Sequence, residues 1–160
     1  MLVYQADEQL AAWIGGQIGV AFSPPYVCIG IVRGETLVAA VLYNDFQPPN
    51  IQMTIASITP RWASRQVIAR LLAYPFLELQ CLRVSAVTRA TNEDARRFLA
   101  RLGFHQEGHH PLLFPDDDGV SYGLMRSDAE HWLEGLNNAQ QSSYPTDPAG
   151  SGRSISARGD

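Results

Sequence analysis

His109-His110 and the nearby Asp116-Asp117-Asp118 are the side-chain types that ligate a divalent metal. Their spacing fits no standard metal site, and an acidic run ended by Gly119 reads as a solvated turn, so no metal is expected. Cys28 and Cys81 each lie inside an apolar run without the paired spacing of a zinc or redox motif, so two buried free thiols are expected. Arg61, Arg65, Arg96, Arg97 and Arg101 can form a local basic face of the kind that engages nucleic acid. Asp45, just before Pro48-Pro49, reads on its own as a turn former. Asn92 stands at the start of a strongly patterned helix, where its side chain can cap. Arg158-Gly159-Asp160 spells an integrin-type tripeptide for which chance is the sufficient account.

The background to these residues is an ordinary globular composition, with 46% hydrophobic and 18% charged residues in a chain of 160. That length supports one substantial core. The formal net charge of -4 excludes a global basic field that would draw the chain to nucleic acid or an anionic membrane. Met1 to Glu8 lacks a basic leader, and no apolar run reaches membrane-spanning length, so a cytoplasmic protein is expected. From Asn137 the sequence turns to Asn, Gln, Ser, Pro and Gly, with Ile155 the only aliphatic residue larger than alanine. Such a stretch buries too little surface to offset its ordering entropy. One domain over 1–136 and a disordered tail over 137–160 are expected.

The elements that must position these residues follow from periodicity. Asp7 can cap a helix carrying Leu10, Ala11, Trp13, Ile14 and Ile18. Strands are expected at Tyr26–Val32, Thr36–Tyr43 and Ile51–Ile58, the first two as a hairpin. The loop over Asn44–Asn50 reads as too Pro-rich to continue the ladder. A helix follows from Ala63 to Leu79, bent at Pro75, then a strand over Cys81–Val87. Thr91 to Gly103 is a complete helix, with Thr91 or Asn92 as cap, Ala95, Phe98, Leu99 and Leu102 as apolar stripe, and Gly103 as left-handed terminator. His105–Phe114 is expected as a strand broken at Pro111, Pro115–Gly119 as a turn, Val120–Arg126 as the last strand and Ser127–Leu136 as a closing helix.

That order, with Asn92…Ala95…Phe98-Leu99…Leu102-Gly103-Phe104…Glu107-Gly108, resembles the GNAT superfamily of acyl-CoA-dependent N-acetyltransferases over roughly Met1 to Leu133. Tyr74-Pro75-Phe76 through Gly108 is most similar to the branch that acetylates ribosomal proteins. The resemblance implies an α/β (α+β layered) fold: a mixed, mostly antiparallel central sheet flanked by helices. It implies acetyl-CoA as cosubstrate and a primary amine as acceptor, in a small molecule or at a protein N-terminus or lysine, in a monomer or homodimer. The family cradles the CoA pyrophosphate on a glycine-rich loop before a helix. The corresponding Thr59-Pro60-Arg61-Trp62-Ala63-Ser64-Arg65-Gln66 has no glycine.

By the same resemblance, Arg61, Ser64, Arg65 and Gln66 lie at the pyrophosphate loop, backbone near Ala56 to Ile58 donates to the thioester oxygen, Asn92 contacts the pantetheine arm, and Phe98 is a further cofactor-binding residue. Arg61 and Arg65 supply charge-assisted bonds, with Ser64 as helix cap. Ser57 lies where an acyl group or proton passes, Asp45 where an acceptor amine arrives as base or anchor, and Tyr122 near the cleft as acid. Some relatives place an acidic Tyr where this chain has Leu99. Phage adenine-modifying proteins share the fold, so nucleobase modification is an alternative. A non-catalytic module that has lost CoA is another.

Overall fold

Apolar runs separated by short polar turns pair with their neighbours, and the first sixty or so residues do this in series. The computed structural model describes residues 1–143. Strands β1 (Leu2–Val3), β2 (Tyr26–Arg33), β3 (Thr36–Gln47) and β4 (Asn50–Ser57) pair antiparallel in order. β3 runs past Tyr43, where its end was expected, because Pro48 and Pro49 occupy the turn itself and owe no bond to the ladder. Asp45, at φ 51°, takes up the register shift between Asn44 and Gln47.

Helix α1 (Asp7–Ile18) lies over this meander, with Leu10, Ala11 and Ile14 packed on Cys28, Leu42 and Ala56. Asp7 was expected to cap it and does not. Ala6 holds the cap position, and Asp7 Oδ1 accepts from the Cys28 N–H at 2.8 Å. The carboxylate thereby continues the β2 edge beyond Val3, where β1 ends.

A 3₁₀ turn over Pro60–Trp62 leads into α2 (Arg65–Ala73), shorter than expected because the chain changes to a π-helical turn over Tyr74–Glu78. Pro75 is the cause, since it cannot donate to the Leu71 carbonyl. Tyr43, buried beneath, supplies the missing donor: its hydroxyl meets that carbonyl at 2.7 Å. Burial, with Tyr74, Tyr4 and Cys28 around it, pushes the Tyr43 phenol well above its ordinary value, so it stays protonated as a donor.

β5 (Arg83–Arg89), α3 (Glu93–Leu102), β6 (His105–Phe114) and β7 (Asp117–Met125) complete a seven-stranded sheet in the order β1-β2-β3-β4-β5-β7-β6. β6 continues through Pro111, with a register shift between His110 and Phe114 in place of the expected break. Each aspartate of the hairpin is engaged rather than merely solvated. Asp116 pairs with Arg89, Asp117 accepts from Thr91, and Asp118 accepts from the Leu112 N–H and contacts His109, both at 2.8 Å. Helix α4 (Arg126–Ser143) runs seven residues beyond the expected boundary at Leu136, so the first part of the expected tail is helical. The remainder, residues 144–160, lies outside the described residues.

Helices α2, α3 and α4 share the sheet face opposite α1. There Ile68, Leu72, Leu99, Leu102 and Trp132 pack with Val41, Met53, Val84 and Tyr122. Trp132 also donates its indole N–H to the Leu102 carbonyl at 2.9 Å, which ties α4 to the end of α3.

Candidate functional site

β4 and β5 are parallel neighbours, and their ladder covers only Asn50, Ile51 and Gln52 against Arg83, Val84 and Ser85. Beyond it β4 continues to Ser57 and β5 to Arg89, so the two strands part. The fork releases alternate backbone groups of both strands from pairing. At about 3.3 Å per residue, its arm on β4 is about 16 Å long.

The helical side of the fork is closed by aromatic packing. Trp62 is 3% exposed, and its ring lies 5.4 Å from that of Phe98 on α3, centroid to centroid. Beneath them, between Met53 and Ile55 on β4, Leu71 and Leu72 on α2 and Leu102 on α3, about 10 Å³ remains. That is at most room for one water. Trp62 is held by its turn: Thr59 Oγ1 accepts from the Arg61 N–H at 3.4 Å, and Arg33 donates to the Trp62 carbonyl at 3.2 Å.

Ser64 is the cap of α2, accepting from the Val67 N–H at 3.2 Å. The first N–H groups of a helix have no partner within it, and a capped start of this kind is a site for a phosphate. Arg65 is turned elsewhere. It donates to the His131 carbonyl at 2.7 Å and stacks over Trp132 at 5.1 Å, joining α2 to α4. Arg61 and Gln66 are exposed beside it, and Ile58 is 55% exposed with its N–H on the Val38 carbonyl.

Asn92 is the cap of α3, with Oδ1 accepting from the Ala95 N–H at 3.1 Å, while Thr91 bonds Asp117 instead. Tyr122 is buried on β7 opposite Ala86, on the helical side, and its hydroxyl accepts from Arg96 Nε at 3.0 Å. Ser57 is exposed at the open end of β4. Asp45 is exposed near the end of β3, beside the start of β4. The structure therefore brings Trp62 onto Phe98, with the Ser64 cap two residues after Trp62, and does not bring Ser57, Asp45 and Tyr122 together.

Two polar groupings on the α1 side of the sheet carry no single-residue signal in the sequence. Arg83 binds Glu107 through its two terminal guanidinium nitrogens at 2.8 and 2.6 Å, and donates from Nε to Asn50, which donates to Ser85. The Arg83 bonds hold the Glu107 carboxyl below its ordinary value. Further along, His110 Nε2 lies 2.9 Å from Ser121 Oγ. Both groupings lie close against glycines: a Cβ at Gly123 would stand 2.6 Å from the Glu107 carboxylate, and one at Gly108 3.0 Å from His110 Nε2 and Ser121 Oγ. The glycines at 108 and 123 were the only available signal. Among the described residues, no group of three or more His, Cys, Asp or Glu is placed to hold a metal ion, and no helix is long and apolar enough to cross a membrane.

No protein-family model matches the chain, and no curated protein matches it. Solved structures do. Mutant forms of the spermidine/spermine N-acetyltransferase SpeG from Vibrio cholerae align with a TM-score of 0.67 at 14% identity, over 82% of this chain and 97% of that one. A T. thermophilus protein described as an acetyltransferase aligns with a TM-score of 0.62 at 22% identity, over 80% of this chain and 72% of that one. Another structure described as an acetyltransferase gives 0.58 at 19% identity over 64% of this chain, which spans 62% of that protein's length. At these identities the likeness establishes the fold alone: a mixed, mostly antiparallel sheet flanked by helices, the GNAT fold.

Proposed function

We propose that this chain moves an acetyl group from acetyl-CoA to a primary amine by direct attack of the amine on the thioester. The observation that carries the reading is the parting of β4 from β5 after Gln52 and Ser85, beside the Ser64-capped start of α2. A thioester laid along the fork meets backbone N–H groups that the ladder has released, and these polarise its carbonyl as charge builds on the oxygen. The anionic end of the cosubstrate meets the first turn of α2, with Arg61 free to turn towards it. Asn92 and Phe98 flank the arm between. That the solved structures sharing the fold include N-acetyltransferases supports the same chemistry. The acceptor is a primary amine in a small molecule or at a protein N-terminus or lysine.

One rearrangement is required. Trp62 rests on Phe98 across the fork, so the cosubstrate arm enters only where that indole gives way. The same contact favours a second reading, a binding module that keeps the fold without the reaction. Modification of a nucleobase draws no such support, because Arg65, Arg96 and Arg97 are engaged within the chain by His131, Tyr122 and Glu93.

A melting-temperature titration with acetyl-CoA separates the two. A ligand that binds only the folded chain raises the melting temperature by linkage, and acetyl-CoA is expected to do so. No shift at millimolar acetyl-CoA sinks the transferase and leaves the module.

A further inference from the structure

The outer edge of β2 is only partly covered. β1 pairs Leu2 with Ile31 and Val3 with Gly30, and then stops. Gln5, held at φ 61°, turns the chain out of the ladder in a conformation that residues other than glycine rarely adopt. Cys28, the next residue to face that edge after Gly30, therefore meets no strand. Its N–H is taken by Asp7 Oδ1 at 2.8 Å. By the alternation of the ladder its carbonyl points the same way, and no backbone donor among the described residues meets it. A pocket of about 240 Å³ opens beside it, with Val27 and Ile29 as an apolar floor. Arg70, Tyr74 and Glu78 stand four residues apart along α2 and the π-helical turn, and they line one wall. The Tyr74 ring rests on Tyr43, which is in register with Val27, so it marks the middle of that wall. Arg70 lies one turn before it and Glu78 one turn after, which separates their backbones by roughly 10 Å. Among the described residues, no ion pair joins Arg70 to Glu78 or to Asp7. The wall thus offers a cation at one end and a carboxylate at the other, neither spent on its neighbour.

We propose that this pocket binds a short peptide with free termini, of dipeptide length. Its carboxylate meets Arg70, its ammonium meets Glu78, and its amide N–H bonds the Cys28 carbonyl at the open edge of β2. Addition of extended backbone to an uncovered sheet edge is a recurring way to hold a peptide. Here Asp7 already occupies the Cys28 N–H, so the edge offers a single ladder bond, and a peptide with one amide N–H uses it. The charges set the length. Two extended residues span at most about 7 Å, which two side chains reaching inward from roughly 10 Å apart can bracket. A free amino acid carries both charges on one carbon and reaches only one end. The guanidinium suits the carboxylate because it donates two parallel N–H groups. Volume points the same way. The pocket holds about eight waters at about 30 Å³ each, and falls short of the roughly 300–1,000 Å³ that larger ligands occupy. Strands β3 and β4 separate this edge from the fork, so the pocket is a second site and its peptide is not the acetyl acceptor.

The test is calorimetric titration of the full chain with L-alanyl-L-valine, without acetyl-CoA, so its outcome is independent of the transferase reading. The dipeptide is expected to bind. Its N-acetyl form, which lacks the ammonium, and its C-terminal amide, which lacks the carboxylate, are each expected to bind about 10-fold more weakly. L-Valine and δ-aminovalerate are expected to be similarly weak, the first for its adjacent charges and the second for its missing amide. Arg70→Ala, an exposed change, is expected to bind the dipeptide and its amide alike, and Glu78→Gln to bind the dipeptide and its N-acetyl form alike. Those lost preferences are effects that a merely structural role would not produce. No binding of the dipeptide at millimolar concentration overturns the proposal. So does L-valine or δ-aminovalerate binding as tightly as the dipeptide, or an Arg70→Ala variant that still prefers the free carboxylate.

Discussion

Tyr43 repairs a defect that Pro75 creates more than thirty residues away. The proline leaves the Leu71 carbonyl without its helical donor, and the carbonyl is buried where water does not replace it. The Tyr43 hydroxyl does replace it, while its ring packs at a tilt against Tyr74 with centroids 4.9 Å apart. Tyr43→Phe keeps the ring and removes the donor. It is expected to cost about 1–3 kcal/mol, the usual penalty for stranding a buried acceptor. Urea unfolding measures it, and a loss within error would mean that the π-helical turn satisfies Leu71 by other means.

At the scale of elements, the 3₁₀ turn of Pro60–Trp62 and helix α3 meet across the fork through one aromatic contact. Side chains fill the space that an extended cosubstrate arm needs, so packing and binding compete there. Trp62→Ala is expected to lower stability by about 3–5 kcal/mol, as large-to-small core changes do. It is also expected to tighten acetyl-CoA binding relative to wild type, because the indole no longer has to be displaced. Phe98→Ala, at a half-buried position, is expected to act in the same direction at a smaller cost. Calorimetric titration of both variants checks this, and unchanged affinity in both would place the cosubstrate elsewhere.

Over the whole molecule, stability should fall on the acid side. Bonds from Arg83 hold Glu107 low, the Thr91 hydroxyl holds Asp117 low, and the Leu112 N–H, then His109, hold Asp118 low. A carboxyl lowered on folding stabilises above its unfolded value, about 4, and loses that contribution as pH drops through the folded value. The melting temperature is therefore expected to hold between pH 7 and 5 and to decline below about pH 4. Glu107→Gln should cost under about 1 kcal/mol at pH 7, since the pair is partly exposed, and should make the acid decline shallower. An acid limb identical to wild type would show that Glu107 does not contribute to it.

Local signals carried far in this chain. The helix of Glu93–Leu102, with its Asn92 cap and left-handed Gly103, was legible because caps, stripe and terminator lie within a dozen residues. The Ser64 cap and the buried cysteines were legible for the same reason. The fold was legible through the resemblance that the element order and the Asn92-to-Gly108 pattern carry, while the strand order came only with the structure. The closing of the fork was not legible, because Trp62 meets Phe98 only once β4, α2 and α3 are assembled. Arg65 read as a phosphate ligand from its neighbours and became a strut between α2 and α4, since a guanidinium takes the nearest carbonyl and ring that tertiary packing brings to it. The pocket at the β2 edge lay hidden for a similar reason. Cys28, Arg70 and Glu78 line one space only through the early end of β1 on β2 and the packing of α2, and long-range pairing leaves no periodicity in the sequence around any one of them.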